Sequence, residues 1–311
     1  GARYNTTESE GVNLLTNVRD APYDTNKTTP QVGLGWKMRP DVLLFGSYSE
    51  SFYIEERNLT LFNPAYNTAQ PTSATNPLTL NTAARPTTGK GYEFGVKTDL
   101  LDGRISSTVS FFHLEREDRV LRFRELGVDG TFPTITRQGT VDESKGTEIE
   151  VTFSPLDNWQ VYATATFMDI KTTKATLPRI PNNPDPVYQA AYVAAFNEAV
   201  GLILNAVPEG SAERLGSLWT RYTFKQRALK DAWIGGGLNY VSPKAQRTAN
   251  PTLFFDSYTL FDAVVGYDFK WGRTRCSATL AWKNIENREY FPANQARGLP
   301  SRAILSLTAR F

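Results

Sequence analysis

SRAILSLTARF, residues 301 to 311, sorts into two faces when every second residue is taken together. Ser301, Ala303, Leu305, Leu307, Ala309 and Phe311 fall on one face; Arg302, Ile304, Ser306, Thr308 and Arg310 fall on the other. A period of two is that of a β-strand, whose successive side chains point to opposite faces. One face is small and apolar, and the other is mostly polar with two arginines. Soluble sheets alternate as well. In a transmembrane barrel the outer face meets lipid and the inner face meets water, so arginines on the second face are solvated. The reading of the chain turns on whether this pattern repeats at barrel spacing.

It repeats. Val32, Leu34 and Trp36 alternate with Gly33 and Gly35, and Arg39-Pro40-Asp41 forms a turn before the return strand Val42 to Phe52. Tyr92, Phe94, Val96 and Leu100 alternate with Glu93, Gly95, Lys97 and Asp99 up to the turn Asp102-Gly103. Ile105, Val109 and Phe111 open a strand running to Phe123; Ile149, Val151 and Phe153 close one running from Ile135. Trp159 to Phe167, Leu215 to Phe224, Ala232 to Val241, Phe261 to Phe269 and Cys276 to Trp282 follow. With a partial strand at Gly1 to Tyr4, followed by a polar loop Asn5 to Lys27, and the closing strand, this makes twelve.

The connections are sorted. Tight turns fall near residues 40, 102, 156, 228 and 272; long excursions follow residues 4, 52, 170 and 286, with shorter tips near 127 and 249. Long loops at one end and tight turns at the other are the asymmetry of an outer-membrane barrel. Trp36, Trp159, Trp233 and Trp271, four of the six tryptophans, lie beside tight turns, where an interfacial girdle would place them.

Composition agrees. The hydrophobic fraction is 40% and mean hydropathy is -0.39, with no run long and apolar enough for a spanning helix. A barrel needs only alternate residues apolar, so its average looks water-soluble. Within Lys171 to Ala212 one helix is expected. Asp185 caps it, Pro186 suits its first position, and Tyr188, Tyr192, Phe196 and Val200 recur every four residues. Gln189, Asn197, Glu198 and Asn205 argue against its crossing a membrane, and it reads as a loop helix packed on its neighbours. The fold class is thus all-β, an antiparallel transmembrane β-barrel with one helix in an extracellular loop.

A net charge of +2 without a Lys/Arg run gives no footprint for nucleic acid. Cys276 and His113 are the only residues of their kinds, which excludes a zinc site built from Cys and His. His113 reads as a strand-face or interfacial side chain, Asp169, Glu148 and Glu150 as charges lining a wet lumen, and Gly235-Gly236-Gly237 as a small-residue contact or strand bend rather than a phosphate cradle. No catalytic residue, cofactor or metal site is assigned.

Six short motifs carry a resemblance: Ser47-Tyr48-Ser49-Glu50-Ser51-Phe52, Glu93-Phe94-Gly95-Val96-Lys97, Leu101-Asp102-Gly103-Arg104-Ile105, Lys145-Gly146-Thr147-Glu148-Ile149-Glu150, Asn284-Ile285-Glu286-Asn287-Arg288-Glu289-Tyr290, and Arg297-Gly298-Leu299-Pro300-Ser301-Arg302 leading to Ala309-Arg310-Phe311. In this order, over nearly the whole chain, they resemble the TonB-dependent outer-membrane receptors of the siderophore-receptor type. The resemblance implies a barrel of 22 strands closed by an N-terminal plug with a TonB-binding segment. It makes residues 1–311 the C-terminal part of such a barrel, with plug and first strands absent. The start at Gly1-Ala2-Arg3-Tyr4 likewise suggests the C-terminal piece of an exported precursor.

The implied function is active import of a scarce nutrient, a ferric siderophore first, with outer-membrane lipid, TonB and an extracellular small molecule as partners. A passive porin, a glycan or cobalamin transporter, and a structural barrel or outer-membrane enzyme are the alternatives. Anionic, partly aromatic chelates call for arginines and aromatic rings in the loops. The candidates are Tyr53, Arg57, Phe62 and Tyr66 in one loop, Tyr188, Tyr192 and Phe196 on the helix, and Tyr290, Phe291 and Arg297 in the last loop. Ordinary loop packing is the competing reading for each.

Overall fold

Strands of alternating residues need partners for their backbone groups, and in the main sheet of this chain each strand pairs with the main-sheet strand that follows it in sequence. A computed structural model gives twelve strands in one antiparallel sheet, in the order β1-β4-β5-β6-β7-β8-β9-β10-β11-β14-β15-β16. These are β1 (Ala2–Ser9), β4 (Tyr23–Arg39), β5 (Val42–Tyr53), β6 (Thr87–Leu100), β7 (Ile105–Arg124) and β8 (Thr134–Leu156). The second half holds β9 (Trp159–Lys174), β10 (Arg214–Thr223), β11 (Ala232–Val241), β14 (Tyr258–Trp271), β15 (Thr274–Lys283) and β16 (Arg302–Arg310). Two small hairpins, β2 (Val12–Asn13) with β3 (Val18–Arg19) and β12 (Lys244–Arg247) with β13 (Asn250–Phe255), lie in the connections, as does the helix α1 (Pro186–Ile203). The structure describes residues 1–9, 12–13, 18–19, 23–53, 86–124, 134–175, 185–247, 250–292 and 296–310.

The register fixes two faces. Following direct cross-strand partners, Val32, Leu34 and Trp36 share a face with Leu44, Val96 and Phe94, then Val109 and Phe111, then Ile149 and Val151. The same face continues through Ala163 and Ala165, Leu218, Leu238, Phe261 and Val265, Leu280, and finally Ala303, Leu305 and Leu307. These apolar side chains are not buried in a core. Leu34 and Leu305 are each 79% exposed, which is ruinous in water and expected against lipid. The opposite face carries Lys97, Glu93, Glu148, Glu150, Asp262, Arg275 and Thr308, and it is the wet side.

Three readings need correction. Within the polar stretch Asn5 to Lys27, residues 5–9 and 23–27 are strand, because β1 and β4 pair from Ala2 opposite Pro30 to Ser9 opposite Tyr23. Above the lipid band both faces are wet, so no alternation marks the strand. Pro30 is tolerated because its neighbour Gln31 exchanges both backbone bonds with Gly1, which leaves the missing N–H of Pro30 on the side where pairing with β5 has ended. Asp169 shares the outer face with Phe167 and meets Lys145 and Lys171 above the apolar band, so it is not a lumen charge. Trp36, Trp159 and Trp271 stand on the outer face as an interfacial belt requires, but Trp233 sits on the inner face opposite Gly266, under Arg221 at 4.0 Å.

The tight turns fall where expected: Pro40–Asp41, residues 101–104, Asp157–Asn158, a 3-10 turn at Arg227–Leu229, and Gly272–Arg273. Leu101, Asp102 and Gly103 all take left-handed backbone, at φ 55°, 54° and 82°. Asp and Gly enter that region at little cost, which is why this dipeptide turns the chain.

A recess at the loop end

A bilayer is crossed by about 9–11 strand residues. β10, β11 and β15 have 10 and β16 has 9, whereas β7 has 20 and β8 has 23. The surplus of β7 and β8 stands beyond the apolar band at the long-loop end. On their outer face the residues there become charged: His113 lies 3.8 Å from Glu115 and 3.6 Å from Glu143, and Lys90 bonds Glu117 at 3.0 Å.

On the inner side the projecting strands build a polar clasp. The register of β7 against β8 slips between Arg116 and Arg119, where Asp118 takes φ 58°. This bulge brings both arginines onto one carboxylate. Asp142, 5% exposed, accepts from Arg116 Nε at 3.2 Å and from Arg119 NH2 at 3.0 Å. Arg119 Nε lies 2.6 Å from the same carboxylate, an ion contact without hydrogen-bond alignment. Thr172 of β9, fully buried, donates to Asp142 at 2.9 Å. Its backbone also pairs with the exit of α1: Asn205 donates to Thr172, and Thr172 donates to Ala206. Four segments are therefore tied at one carboxylate.

Beside the clasp opens a recess of about 660 Å³, lined among others by Tyr53, Gly89, Gly91, Arg116, Ser144 and Glu209. Gly89 and Gly91 help keep it open: a Cβ there would come within 2.6 Å of Ser51 Oγ and 2.9 Å of Leu114 Cδ2. The side chain of Arg116 is 53% exposed, so it holds Asp142 and still presents donors to the recess. Tyr53, 65% exposed, presents a ring. A guanidinium and a phenol beside serines can hold a flat, hydrogen-bonding anion, and nothing in this arrangement activates a nucleophile.

The other candidates are placed variously. Arg57, Phe62 and Tyr66 lie outside the described residues. Asp185 caps α1 as expected, its carboxylate accepting from Val187 N at 2.8 Å. Tyr188 is exposed, while Tyr192 and Phe196 lie along the same helix. Tyr290 and Phe291 pack against the start of β14 and the hairpin before it: Tyr290 meets Tyr258 of β14 at 4.8 Å between ring centres, and Phe291 stacks on Phe255 of β13 at 5.1 Å. Arg297 pairs with Glu289 at 2.9 Å. That loop is held by Asn284, 3% exposed, whose amide bonds the carbonyls of Arg288 and Leu299 and the N–H of Arg288.

Arg116, Asp142 and Thr172 escaped the sequence reading. The available signal was two arginines three residues apart inside an expected strand, Arg116 and Arg119, a spacing that puts them on opposite faces unless a bulge intervenes.

Solved structures with this fold include the ferric preacinetobactin receptor BauA of Acinetobacter baumannii, with a TM-score of 0.67, 19% identity, and coverage of 98% of this chain and 39% of that one. The siderophore receptor PiuA of the same species gives 0.63 at 19% identity, covering 99% and 39%. In sequence the chain is 26% identical over 290 residues to the metal-pseudopaline receptor CntO of Pseudomonas aeruginosa, covering 91% of this chain and 33% of that protein. It is 25% identical over 291 residues to the ferrichrome outer membrane transporter/phage receptor of Escherichia coli, covering 93% and 32%. The chain thus spans about a third of the length of these relatives. Residues 1–287 match the family model described as TonB dependent receptor-like, beta-barrel. By that match the chain belongs to the TonB-dependent receptor family, whose members are outer-membrane receptors and transporters rather than enzymes.

Proposed function

We propose that residues 1–311 form the C-terminal part of the barrel wall of a receptor that imports a scarce nutrient through the outer membrane, with a ferric siderophore or a related metal chelate as cargo. In this reading a plug, the first strands and a TonB-binding segment belong to the rest of the protein. The loop-end recess, with Arg116 and Tyr53 facing open space above a polar wall, is the observation that carries it. The relatives named for metal-pseudopaline and ferrichrome support a chelate as cargo.

Tyr53, Arg57, Phe62 and Tyr66 of one loop, Tyr188, Tyr192 and Phe196 of α1, and Tyr290, Phe291 and Arg297 are proposed as the surrounding capture surface, to which Arg116 is added. Tyr290 and Phe291 contribute by shaping the last loop, since each is already packed on a partner ring.

The test is uptake of radiolabelled iron by a strain lacking the gene, supplied with hydroxamate, catecholate and mixed chelates in turn. Loss of uptake for one chelate, restored by the gene and abolished without TonB, is the expected result. Uptake that persists without TonB points to a passive channel. Loss of a glycan or cobalamin instead overturns the choice of cargo.

A further inference from the structure

The clasp lies in one row across the inner face of the wall. Ser51 of β5, Gly89 of β6, Arg116 of β7, Asp142 of β8 and Thr172 of β9 stand directly opposite one another in turn. Arg119 joins this row across the bulge; 15% of its side chain is exposed, and it does not line the recess. The charges of the row do not cancel. Two guanidiniums meet one carboxylate, so one positive charge is left over, and Arg119 Nε is buried without a hydrogen bond. A charge taken out of water is costly until an opposite charge answers it.

Arg116 is placed to receive that answer. Its Nε and one N–H of Nη2 go to Asp142, which leaves three of the five guanidinium N–H groups, on a half-exposed side chain, for a second acceptor. Two of the three form the parallel fork that a carboxylate fits. Around them Ser49, Ser51, Tyr53, Thr87 and Ser144 offer uncharged hydroxyls, and Glu209 has a partner of its own. Lys90, Glu115 and Glu143 belong to the outer face, where Lys90 bonds Glu117 and where His113 and Lys145 lie beside the glutamates.

We infer that Asp142 is a specificity-determining residue: by cancelling one of two guanidiniums it sets the recess to one positive charge, so that the preferred cargo is a metal chelate presenting a single carboxylate. The inference deepens the reading of the recess as a chelate site and rests on it. A neutral chelate leaves the spare charge unanswered. A second carboxylate meets only hydroxyls and the negative charge of Asp142 behind Arg116.

The test is the affinity of the full-length gene product, in micelles, for three iron(III) tris-hydroxamates that share one core and carry no, one or two pendant carboxylates. Wild type should bind the singly charged chelate about tenfold tighter than either of the others, the order expected of one unit charge acting through partly wet space. Asp142→Asn, which leaves two positive charges, should move the preference to the chelate with two carboxylates. Arg119→Gln, which cancels the spare charge without touching the recess, should move it to the neutral one. The double variant Arg119→Gln/Asp142→Asn, again at one positive charge, should restore the wild-type order. A clasp with only a structural role would lower all three affinities together and leave their ratios unchanged; that result, or a double variant that does not regain the order, overturns the inference alone. If none of the three binds and iron uptake is unchanged in a strain lacking the gene, the receptor reading itself fails, and the inference with it.

Discussion

Replacing Asp142 with Ala should loosen the loop end without unfolding the barrel. The carboxylate is 5% exposed and satisfies Arg116, Arg119 and Thr172 at once. Arg116 is half in solvent and loses little, because water replaces its partner. Arg119, with only 15% of its side chain exposed, and the fully buried Thr172 are left unpaired. Breaking a buried ion pair costs about 3–5 kcal/mol, and with one partner half exposed the local loss is about 2–4 kcal/mol. At tenfold per 1.4 kcal/mol this speeds opening roughly 30- to 700-fold.

Amide hydrogen exchange on the full-length protein reads that change at Asn205 and Thr172, whose N–H groups donate across the joint between α1 and β9. Asp142→Asn, which keeps an acceptor for Thr172 but not the charge, should fall between wild type and Ala. Rates at these two amides within threefold of wild type, or acceleration spread evenly to β15 and β16, would refute the clasp as the tie between helix and wall.

Three further outcomes are expected. Leu305→Arg puts a charge on the lipid face and should cost about 2–4 kcal/mol in folding into vesicles, whereas Ser306→Arg, one residue on and facing water, should be nearly neutral. Gly237→Ala drives a Cβ to 2.1 Å from the carbonyl of Leu218 and should lower the denaturant midpoint by an overpacking cost of about 1–3 kcal/mol; Gly201→Ala on α1, with nothing within 4 Å, should not. Asn284→Ala removes the amide that holds the last loop and leaves Ala at φ 50°, so protease should nick residues 285–292 sooner; Asn284→Gly, which keeps the backbone but not the bonds, separates the two causes.

The strands were legible because lipid on one side and water on the other impose a strict period of two, and the register keeps Leu34, Phe94, Ile149, Leu280 and Leu305 on one face. Where the bilayer ends the pattern ends with it. Ala2–Ser9 and Tyr23–Pro30 are as much strand as the rest, yet their Thr and Asn residues alternate with nothing. The clasp was hidden for a different reason. Arg116 and Arg119 meet one carboxylate only through a bulge, and a bulge inserts residues without leaving a periodic trace. Trp233 shows the converse error: its place beside a turn was right and its face was wrong, because position along a strand does not fix side without the register to Gly266.

That register also explains glycines that strand propensity disfavours. Phe45 stands directly opposite Gly95, Phe112 opposite Gly146, Trp219 opposite Gly237 and Trp233 opposite Gly266, all four on the inner face. At each glycine a Cβ would fall within 2.9 Å of the partner ring, so the rings lie over the glycines rather than standing off the wall. Three of the four rings carry a cation: Lys97 at 5.2 Å from Phe45, Lys283 at 4.9 Å from Trp219 and Arg221 at 4.0 Å from Trp233. A ring upright on a sheet would narrow whatever space the wall encloses, and a ring laid flat across a missing side chain does not. The glycine covers the loss of its own packing with the neighbour's ring, and the cation above restores a polar surface over an aromatic one. If the wall lines a passage, as proposed above, it needs both properties, low relief and a wet face, and here a single cross-strand pairing supplies them.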